Sequence, residues 1–383
     1  FHEDKQKLTI MHIDADNKRF QDFIVETEKK LDMEITVEKC PSNADNRQAK
    51  ISTILASGDQ NIDLISVNDE MISEFKHKGY LEPLEKNVMT EEVRDSFPQE
   101  YLESICEENG HIYSVPFQMD IMMFWVNQEL LKQAGLDEIK NTGDFDILQK
   151  SLKNPDQYAY GDAWENTHVY NSLSQFVNFW GGDYFDWTDP KTKDAARYMK
   201  SMLDEKNTSP AQFVDQYEQM EEKFIRGKYG CVFMYTSALG TFLDADVYGK
   251  NKIHMAPLPM FHEKKSTNIA TWQYVLNNAS ENKDAAVRFL QYAAGYEGST
   301  EYAKIMKSYP ARVDVIENED IDLEGIDMIR KYLREYTLNA RPLCENSMGA
   351  VSDMGKLFQG YVLGQCEEDS FFEQAQNCIN TYY

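Results

Sequence analysis

The sequence predicts an α/β protein built from two domains, and three observations support this. The length of 383 residues exceeds the about 100–200 residues that one domain usually contains. The opening of the chain alternates strand-like and helix-like segments, an order that implies a parallel sheet with helices on its faces. Between residues 111 and 136, two strand-like runs are joined by a short polar segment that carries Asp120, which indicates a chain crossing between two lobes.

Hydrophobic periodicity predicts each of the opening elements. Alternating apolar residues are typical of half-buried strands, and apolar residues three or four positions apart are typical of helices. A glycine after a helical pattern marks the end of the helix. The predicted order is a strand at 7–13, a helix carrying Phe20, Phe23, Ile24 and Leu31 on one face, a strand at 33–39, a helix at 47–57, a strand at 62–67 and a helix at 70–78.

Two separate strands are predicted in the middle of the chain. The first occupies 112–115 and is ended by Pro116, and the second occupies 121–126 before a helix at 129–134 that stops at Gly135. The pattern after Gly135 predicts a part of the chain that is richer in helix. It comprises helices at 171–178 and 190–205, a helix ending at Gly227, a strand ending at Met234, strands at 255–259 and 270–277, a helix at 281–292 and a helical tail from Ile321.

The charge balance restricts the partners. With 65 acidic and 39 basic residues the formal net charge is −26, so the surface repels nucleic acid and anionic lipid, whose binding needs clustered Lys and Arg. An anionic ligand is not excluded, because one buried Arg outweighs distant screened charges. The composition mildly favours a neutral or cationic ligand.

The six cysteines do not form a recognisable framework. They stand at Cys40, Cys106, Cys231, Cys344, Cys366 and Cys378, and no two have the spacing of a zinc or thioredoxin-type motif. Six in a chain of this length is below the density of a disulfide scaffold, so we expect buried free thiols, although an even number leaves disulfides open in an exported protein.

The chain has neither a leader nor a membrane-span signature. No run approaches the roughly 18 apolar residues of a membrane span. The opening FHEDKQK lacks the apolar core of a signal peptide, which read alone indicates a cytoplasmic protein and says nothing if the chain is a mature or trimmed form.

Several motifs resemble a known family. In the crossing segment Tyr113, Pro116, Asp120, Asn127 and Gly135 stand in the register of the family 1 extracellular solute-binding proteins, the maltodextrin-binding-like receptors of ABC sugar importers. The aromatic residue that this family has before the asparagine is Val126 here. Further matching positions are Gly58, Asp59, Asp63, Leu64 and Ile65, then Gly79, Leu81, Pro83 and Leu84, the run 224–234 and the helix 281–292. The resemblance covers nearly the whole chain.

The resemblance implies a fold and a function. The fold is the two-lobe, type II periplasmic-binding-protein fold with a ligand cleft between the lobes, one lobe at 1–119 plus 267–311 and a helix-rich one at 120–266 plus 312–383. The function is the capture of a carbohydrate, a di- or short oligosaccharide, by a monomer that delivers it to the transmembrane subunits of an ABC permease. The chain would be a mature form, either a lipid-anchored surface lipoprotein or a periplasmic protein.

Candidate ligand-binding residues follow the ends of the predicted strands. Ligands of open α/β sheets gather beyond the carboxyl ends of the strands, and the family uses loops at these places to bind sugar hydroxyls. The candidates are Asp14, Asp16, Asn17, Asn68, Asp69, Gln118, Asp120, Tyr235 and Thr236. The residues after the first and third strands have an equally simple alternative role as helix N-caps. A calcium loop starting at Asp14 is ruled out, because Arg19 and Val25 replace the glycine and glutamate it needs.

Asp120 is the best single polar contact, because a carboxylate accepts two strong hydrogen bonds from hydroxyl groups. Its alternative is a salt bridge at the crossing. Flat rings stack on the apolar faces of a pyranose. The first aromatic candidate is Trp272, followed by Trp180 and Trp164. Trp164 lies in a polar segment, which argues against a core position. Tyr170 and Asn171 are further candidates. Trp125 is predicted to lie in the core.

Arg312 and Arg341 lie in segments that approach the cleft in the resembled family. Either could clamp a carboxylate with its two parallel N–H donors, which would make the ligand an acidic sugar such as a uronate or sialic acid. The simpler reading, which we favour, is an ion pair with one of the many acidic side chains.

Other functions are less well supported. A glycoside hydrolase needs two carboxylates at a defined separation, which 65 acidic residues cannot exclude, but the motifs GxSxG and HExxH, a P-loop and a dinucleotide fingerprint are all missing. Seven scattered histidines suggest no metal site. We therefore expect a non-enzymatic receptor without metal or cofactor, and a sensor ectodomain of the same fold remains open.

Overall fold

The computed structural model describes residues 4–383, so the first three residues of the polar opening lie outside it. The chain divides into two compact units. The first contains the residues up to Met119 together with Ala270–Ile326, and the second contains Asp120–Ile269 and Asp327–Tyr383. Compared with the expected lobes, residues 267–269 belong to the second unit rather than the first, and residues 312–326 belong to the first unit rather than the second.

The elements follow one another along three stretches. The first stretch contains β1 (Gln6–His12), α1 (Lys18–Leu31), β2 (Met33–Lys39), α2 (Ala44–Ser57), β3 (Leu64–Asn68), α3 (Asp69–Phe75), α4 (Glu91–Arg94), α5 (Gln99–Tyr101), a π-helical turn (Leu102–Cys106), β4 (Glu107–Glu108), β5 (His111–Ile112) and β6 (Val115–Asn127). The second contains α6 (Gln128–Gln133), α7 (Thr142–Ser151), β7 (Tyr158–Gly161), α8 (Val169–Phe179), α9 (Pro190–Asp204), a 3-10 turn (Pro210–Val214), α10 (Tyr217–Ile225), β8 (Tyr229–Tyr235), α11 (Ala238–Asp244), β9 (Ile253–Ala256) and β10 (Ser266–Leu276). The third contains α12 (Lys283–Ala294), α13 (Tyr296–Met306), α14 (Val313–Ile316), α15 (Ile326–Glu335), β11 (Thr337–Ala340), α16 (Ser347–Val362) and α17 (Glu368–Tyr382).

The sheet of the first unit has the predicted parallel βαβ core. β1 pairs in parallel with β2 and with β3, and β10 joins β3 in the antiparallel direction. Since β10 runs the opposite way, its residue Trp272 lies opposite Asn68, the last residue of β3. The carboxyl ends of the three parallel strands and the Trp272 part of β10 therefore share one edge of this sheet.

The predicted break at Pro116 is wrong. β6 is one continuous strand from Val115 to Asn127, so it passes through Pro116 and contains the whole of the second predicted run, whereas Ile112 of the first run belongs to β5. Proline's fixed φ is compatible with extended backbone, and its missing N–H is tolerated near the start of a strand, where Pro116 is the second residue. A single long strand thus carries the chain from the first unit into the second.

The sheet of the second unit is mixed. β8 pairs antiparallel with β6 and parallel with β7, and β9 pairs antiparallel with β6. β11, a strand of four residues inside the tail that was predicted to be helical, pairs in parallel with the first residues of β10. The indole of Trp125 on β6 is fully buried and donates to the carbonyl of Met234 at 2.7 Å, which confirms its predicted place in the core.

All six cysteines are free thiols, as expected. Four are buried, and Cys344 and Cys366 are half-buried. Across residues 4–383, none of the helices combines the length and apolar character that a membrane crossing requires.

Candidate functional site

The side chains that follow β1 in the first unit mainly stabilise the fold. Asn17 caps α1, where its side-chain oxygen accepts from the backbone N–H groups of Arg19 and Phe20 at 2.9 and 3.3 Å. Asp16 forms an ion pair with Lys39 on β2. Capping therefore accounts for Asn17, as the simpler of its two predicted roles.

Asp14 differs from these two neighbours. Its backbone N–H donates to Nδ1 of the buried His12 at 3.0 Å, and burial raises the pKa of its half-buried carboxyl group. Its carboxylate has no hydrogen-bond partner within residues 4–383, so it is the acidic group of this loop that is available to a ligand.

The end of β3 combines capping with a buried acid. Asn68 caps α3 by accepting from the N–H of Met71 at 3.0 Å. Asp69 is fully buried and accepts a hydrogen bond from the hydroxyl of Tyr101 at 3.3 Å. Both side chains thus stabilise the turn from β3 into α3, and Asn68 also lies beside Trp272 in the sheet.

Trp272 is half-buried and has a partner that sequence reasoning missed. The guanidinium carbon of Arg47, on α2, lies 5.3 Å from the centre of the Trp272 ring. A cation at this distance is attracted by the negative face of the indole. An arginine within a helix pattern gives no sequence signal for such a contact, because nothing in the pattern indicates which strand the helix will cover.

Arg312 is an internal structural link of the first unit. Its Nε and Nη2 donate to the two carboxylate oxygens of Asp314 at 3.0 and 2.7 Å, its Nη1 donates to the carbonyl of Ala294, and Nη2 also donates to Ser96. The favoured prediction of an ion pair is confirmed for this residue.

Gln118 lies half-buried in β6 near the crossing into the second unit.

Asp120 and Thr236 are joined in the second unit. The Asp120 carboxylate accepts from Thr236 Oγ1 at 2.8 Å and from the backbone N–H of Ser237 at 3.0 Å. Thr236 Oγ1 also accepts from the N–H of Ile121 at 3.2 Å. These bonds place a carboxylate where β6 begins in this unit and β8 ends.

A second group lies beside it at the same end of β8. Arg341 donates from Nη1 to the hydroxyl of Tyr170 at 2.7 Å, and its guanidinium carbon lies 5.8 and 5.9 Å from the ring centres of Tyr170 and Tyr235. The Tyr235 hydroxyl in turn donates to the side-chain oxygen of Asn171 at 2.8 Å. Four of the predicted residues, Tyr170, Asn171, Tyr235 and Arg341, are thus brought into one connected cluster.

Trp164 does not lie where the polar sequence around it suggested. Its side chain is fully buried, and its indole N–H donates to Asp162 Oδ2 at 2.9 Å. The expectation of a position outside the core is therefore wrong. The reason is Asp162, a fully buried carboxylate that also accepts hydrogen bonds from Tyr160, Ser172 and the N–H of Ala163. Because this carboxylate satisfies the polar groups around it, the polar segment can lie in the core. Burial raises the pKa of Asp162, and these donors oppose the rise.

Trp180 is largely covered by other rings. Its indole is 6% exposed and lies nearly parallel to the rings of Tyr198 and His262, at centroid distances of 4.9 and 5.2 Å. Stacking of this kind stabilises the loop after α8. A role for Trp180 in ligand binding stays a prediction.

Within residues 4–383, no three His, Cys, Asp or Glu side chains come together as a metal ion would require. Apart from Trp164, Trp180, Arg312 and Gln118, the predicted residues form two groups, one at the sheet edge of each unit. Carboxylates, amides, hydroxyls and aromatic rings make up both groups, a set suited to holding a polar solute through hydrogen bonds and ring contacts.

Comparison with known proteins agrees with this picture. Residues 15–300 match the sequence model of the bacterial extracellular solute-binding proteins. The probable amino-acid ABC transporter periplasmic-binding protein y4oP of Sinorhizobium fredii is 23% identical over 239 residues, 59% of this chain and 54% of that protein. The arabinooligosaccharide-binding protein of Halalkalibacterium halodurans is 24% identical over 282 residues, 69% of this chain and 61% of that protein. The chain thus spans less than two thirds of the length of these relatives.

Solved structures match along the whole chain. The cyclic α-maltosyl-1,6-maltose binding protein of Arthrobacter globiformis has a TM-score of 0.81 at 16% identity, with 99% of both chains covered. The maltose-bound MalE3 of T. maritima has a TM-score of 0.78 at 17% identity, covering 98% of this chain and 99% of that one. Likeness at such low identity establishes the fold, and it confirms the predicted two-lobe α/β fold of periplasmic binding proteins. Since the family match extends over more than half of its residues, the chain belongs to the bacterial extracellular solute-binding protein family.

Proposed function

We propose that the protein is the substrate-binding receptor of an ABC transporter and that its ligand is a carbohydrate, a di- or short oligosaccharide. Membership of a solute-binding family supports capture without chemical change. Several proteins that share the fold bind sugars according to their names, among them a maltose-bound and a cyclic-maltosyl-maltose binding protein. An affinity in the micromolar range, about −8 kcal/mol, suits a receptor that must also release its ligand.

The observation that carries the proposal is the cluster in the second unit. A sugar ring presents hydroxyl groups around its rim and C–H groups on its faces. Asp120 and Arg341 are half-buried and present an acceptor and donors suited to sugar hydroxyl groups, and the buried Tyr170, Asn171 and Tyr235 support the position of Arg341. Charge-assisted hydrogen bonds of this kind match the hydroxyl rim of a sugar ring.

The partners follow from the proposed role. The loaded receptor docks on the transmembrane subunits of a permease and acts as a single chain. It works outside the cytoplasm, either as a lipid-anchored protein of the cell surface or in the periplasm. Neither partner nor location bears on the ligand contacts, so the binding experiment tests the ligand alone.

An acidic sugar is the second candidate ligand, and Arg341 favours it. The guanidinium group is held in place by two tyrosines and is always charged, so a carboxylate on the ligand could pair with its N–H donors. An amino acid is a further class to include in the test, because one relative is described as a probable amino-acid binding protein.

Isothermal titration calorimetry tests the proposal. The panel contains malto- and arabino-oligosaccharides, a uronate disaccharide and free amino acids. Wild type is compared with Asp120→Ala and Trp272→Ala. Asp246→Ala is the matched control, because the Asp246 carboxylate is 98% exposed and pairs with Lys252 at a loose 3.7 Å.

We expect micromolar binding of at least one oligosaccharide and unchanged binding in the control. Asp120→Ala should weaken binding about tenfold or more, since hydrogen bonds to charged groups contribute about 1.5–3 kcal/mol. Trp272→Ala should weaken it by a similar factor, because the indole covers the apolar face of the sugar. Binding of amino acids alone would overturn the carbohydrate assignment. Release of a hydrolysis product during the titration would overturn the receptor role.

A further inference from the structure

Arg47 is a buried cation without an acidic partner. The side chain is 6% exposed, and within residues 4–383 it makes no ion pair with a carboxylate. Its contacts are two backbone carbonyl oxygens, those of Pro41 and Ser42, at 3.4 and 3.0 Å from Nη1. Burial lowers the pKa of Arg47, and the nearby Cys40 and Glu70 oppose this electrostatically. Arginine nevertheless stays protonated in proteins, so the positive charge is retained.

The rest of the guanidinium group lacks partners. Nε is fully buried and has no hydrogen bond to any residue that the structure describes. Nη2 makes no hydrogen bond to residues 4–383, and unlike Nε it is not among the fully enclosed atoms. Burying a charge without a compensating charge is costly, and buried donors are normally satisfied. The arginine therefore presents one donor, Nη2, that is open to an acceptor which residues 4–383 do not supply.

The position of Arg47 is that of a binding residue. It lies in the first turns of α2, which follows the end of β2, and its guanidinium group covers the indole of the half-exposed Trp272. Trp272 lies opposite the last residue of β3. Both side chains thus occupy the edge of the first sheet at which the parallel strands end, where open α/β sheets bind ligands.

We propose that Arg47 and Trp272 together receive a negatively charged substituent of the carbohydrate, so that the natural ligand is an acidic oligosaccharide carrying a carboxylate or sulfate group. This inference rests on the proposed function and specifies its substrate class. The Nη2 group of the arginine forms an ion pair with an oxygen of such a group, which a neutral sugar does not offer. The indole packs against the ring that bears the charge.

A purely structural role predicts different behaviour. If Arg47 served only to hold the loop at Pro41 and Ser42, its replacement would weaken every ligand alike or lower the stability of the first unit. If it binds an anion, replacement removes the preference for charged sugars and spares the neutral ones. Selectivity between the two kinds of sugar is therefore the decisive readout.

The experiment compares three trisaccharides of equal length by calorimetry: a neutral one, one with a uronate residue and one with a sulfate ester. The proteins are wild type, Arg47→Met, which keeps the apolar stem, and Arg47→Lys, which keeps the charge without the fork. Arg288→Met is the control, because this arginine of the same unit is exposed and its side chain donates to Gln6 and to the carbonyl of Leu31.

We expect wild type to bind the uronate or the sulfated sugar at least about tenfold more tightly than the neutral one, the size of one charge-assisted interaction. Arg47→Met should lose that preference, Arg47→Lys should keep part of it, and Arg288→Met should keep all of it. Whichever anionic sugar binds identifies the group, and either supports the inference.

Equal wild-type affinity for neutral and anionic sugars would overturn the inference while the carbohydrate receptor stands. This comparison needs no variant, so it decides the matter even if Arg47→Met fails to fold. An equal loss for all three sugars in a folded Arg47→Met protein would also overturn it. Failure of wild type to bind any sugar would overturn the proposed function and the inference with it.

Discussion

Asp162 offers a direct test of how the second unit holds α8 and its binding residues. The change is Asp162→Asn, which preserves size and shape and removes one charge. Oδ1 now accepts from the N–H of Ala163 and from Ser172, at 2.8 and 2.7 Å. Oδ2 accepts from Tyr160 and from the indole of Trp164, at 2.5 and 2.9 Å.

The expected cost follows from the donor inventory. The asparagine oxygen can keep the two donors at the Oδ1 position, and its NH₂ group must then face Tyr160 and Trp164. The tyrosine hydroxyl can rotate to accept, but an indole N–H only donates and is left unsatisfied. A buried orphan donor costs about 1–3 kcal/mol, and the loss of charge assistance in the remaining bonds brings the total to about 3 kcal/mol. For a unit of this size this lowers the melting temperature by roughly 6–12 °C.

Urea unfolding followed by tryptophan fluorescence measures the change, since Trp164 lies within the network. The matched control is Asp246→Asn, where an exposed carboxylate is replaced and the expected change is under about 0.5 kcal/mol. A stability of Asp162→Asn within about 1 kcal/mol of wild type would refute the reasoning, because it would mean that the four donors are satisfied without the carboxylate.

Two further predictions concern stability. Burial lowers the pKa of His12 from its ordinary 6.5 to about 3, so the folded state favours the neutral imidazole. The stability that this provides is fully present above pH 6.5 and is lost between pH 6.5 and pH 3 by up to about 1.4 kcal/mol per pH unit. Urea midpoints measured across this range should show this contribution in wild type, and His12→Gln should lack it. Tyr332→Phe removes a hydroxyl that donates to the carbonyl of Ala256 at 2.6 Å and accepts from the N–H of Phe124 at 3.0 Å. We expect this change to lower the free energy of unfolding in urea by about 2 kcal/mol. The control, Tyr296→Phe, alters an exposed side chain and should leave the free energy of unfolding almost unchanged. Equal midpoints for the two tyrosine variants would contradict the second prediction.

The sequence predicted those elements that local periodicity determines. The bounds of β2 agree with the alternation of apolar residues at 33–39, and α2 ends before Gly58, whose φ of 67° is the left-handed conformation that suits glycine. β11 was missed because four residues between two helices carry too little pattern to outweigh the helical segments around them. Its strand conformation depends on pairing with β10, a partner far away in the sequence.

The candidate residues show the same difference between features that depend on the local sequence and features that depend on distant partners. The end of β8 is a local feature and led to Tyr235 and Thr236, whereas Asp120 was predicted from a strand end at Pro116 that β6 does not have. Trp164 was misplaced and Arg47 was overlooked, because the environment of each depends on a residue from another element, Asp162 in one case and Trp272 in the other. Long-range contacts of this kind leave no trace in spacing or composition.

The three passages of the chain between its units govern the order in which the protein can fold during synthesis. The first unit needs residues up to Ile326, since β10 supplies a partner for β3 from beyond the entire inserted stretch. At about 5–20 residues per second, roughly 10–40 seconds separate the synthesis of Met119 from that of Ile326. The second unit in turn needs the residues that follow Asp327. The nascent chain therefore has no finished unit until Ile326 has been made, and its apolar strands stay exposed to aggregation over that interval.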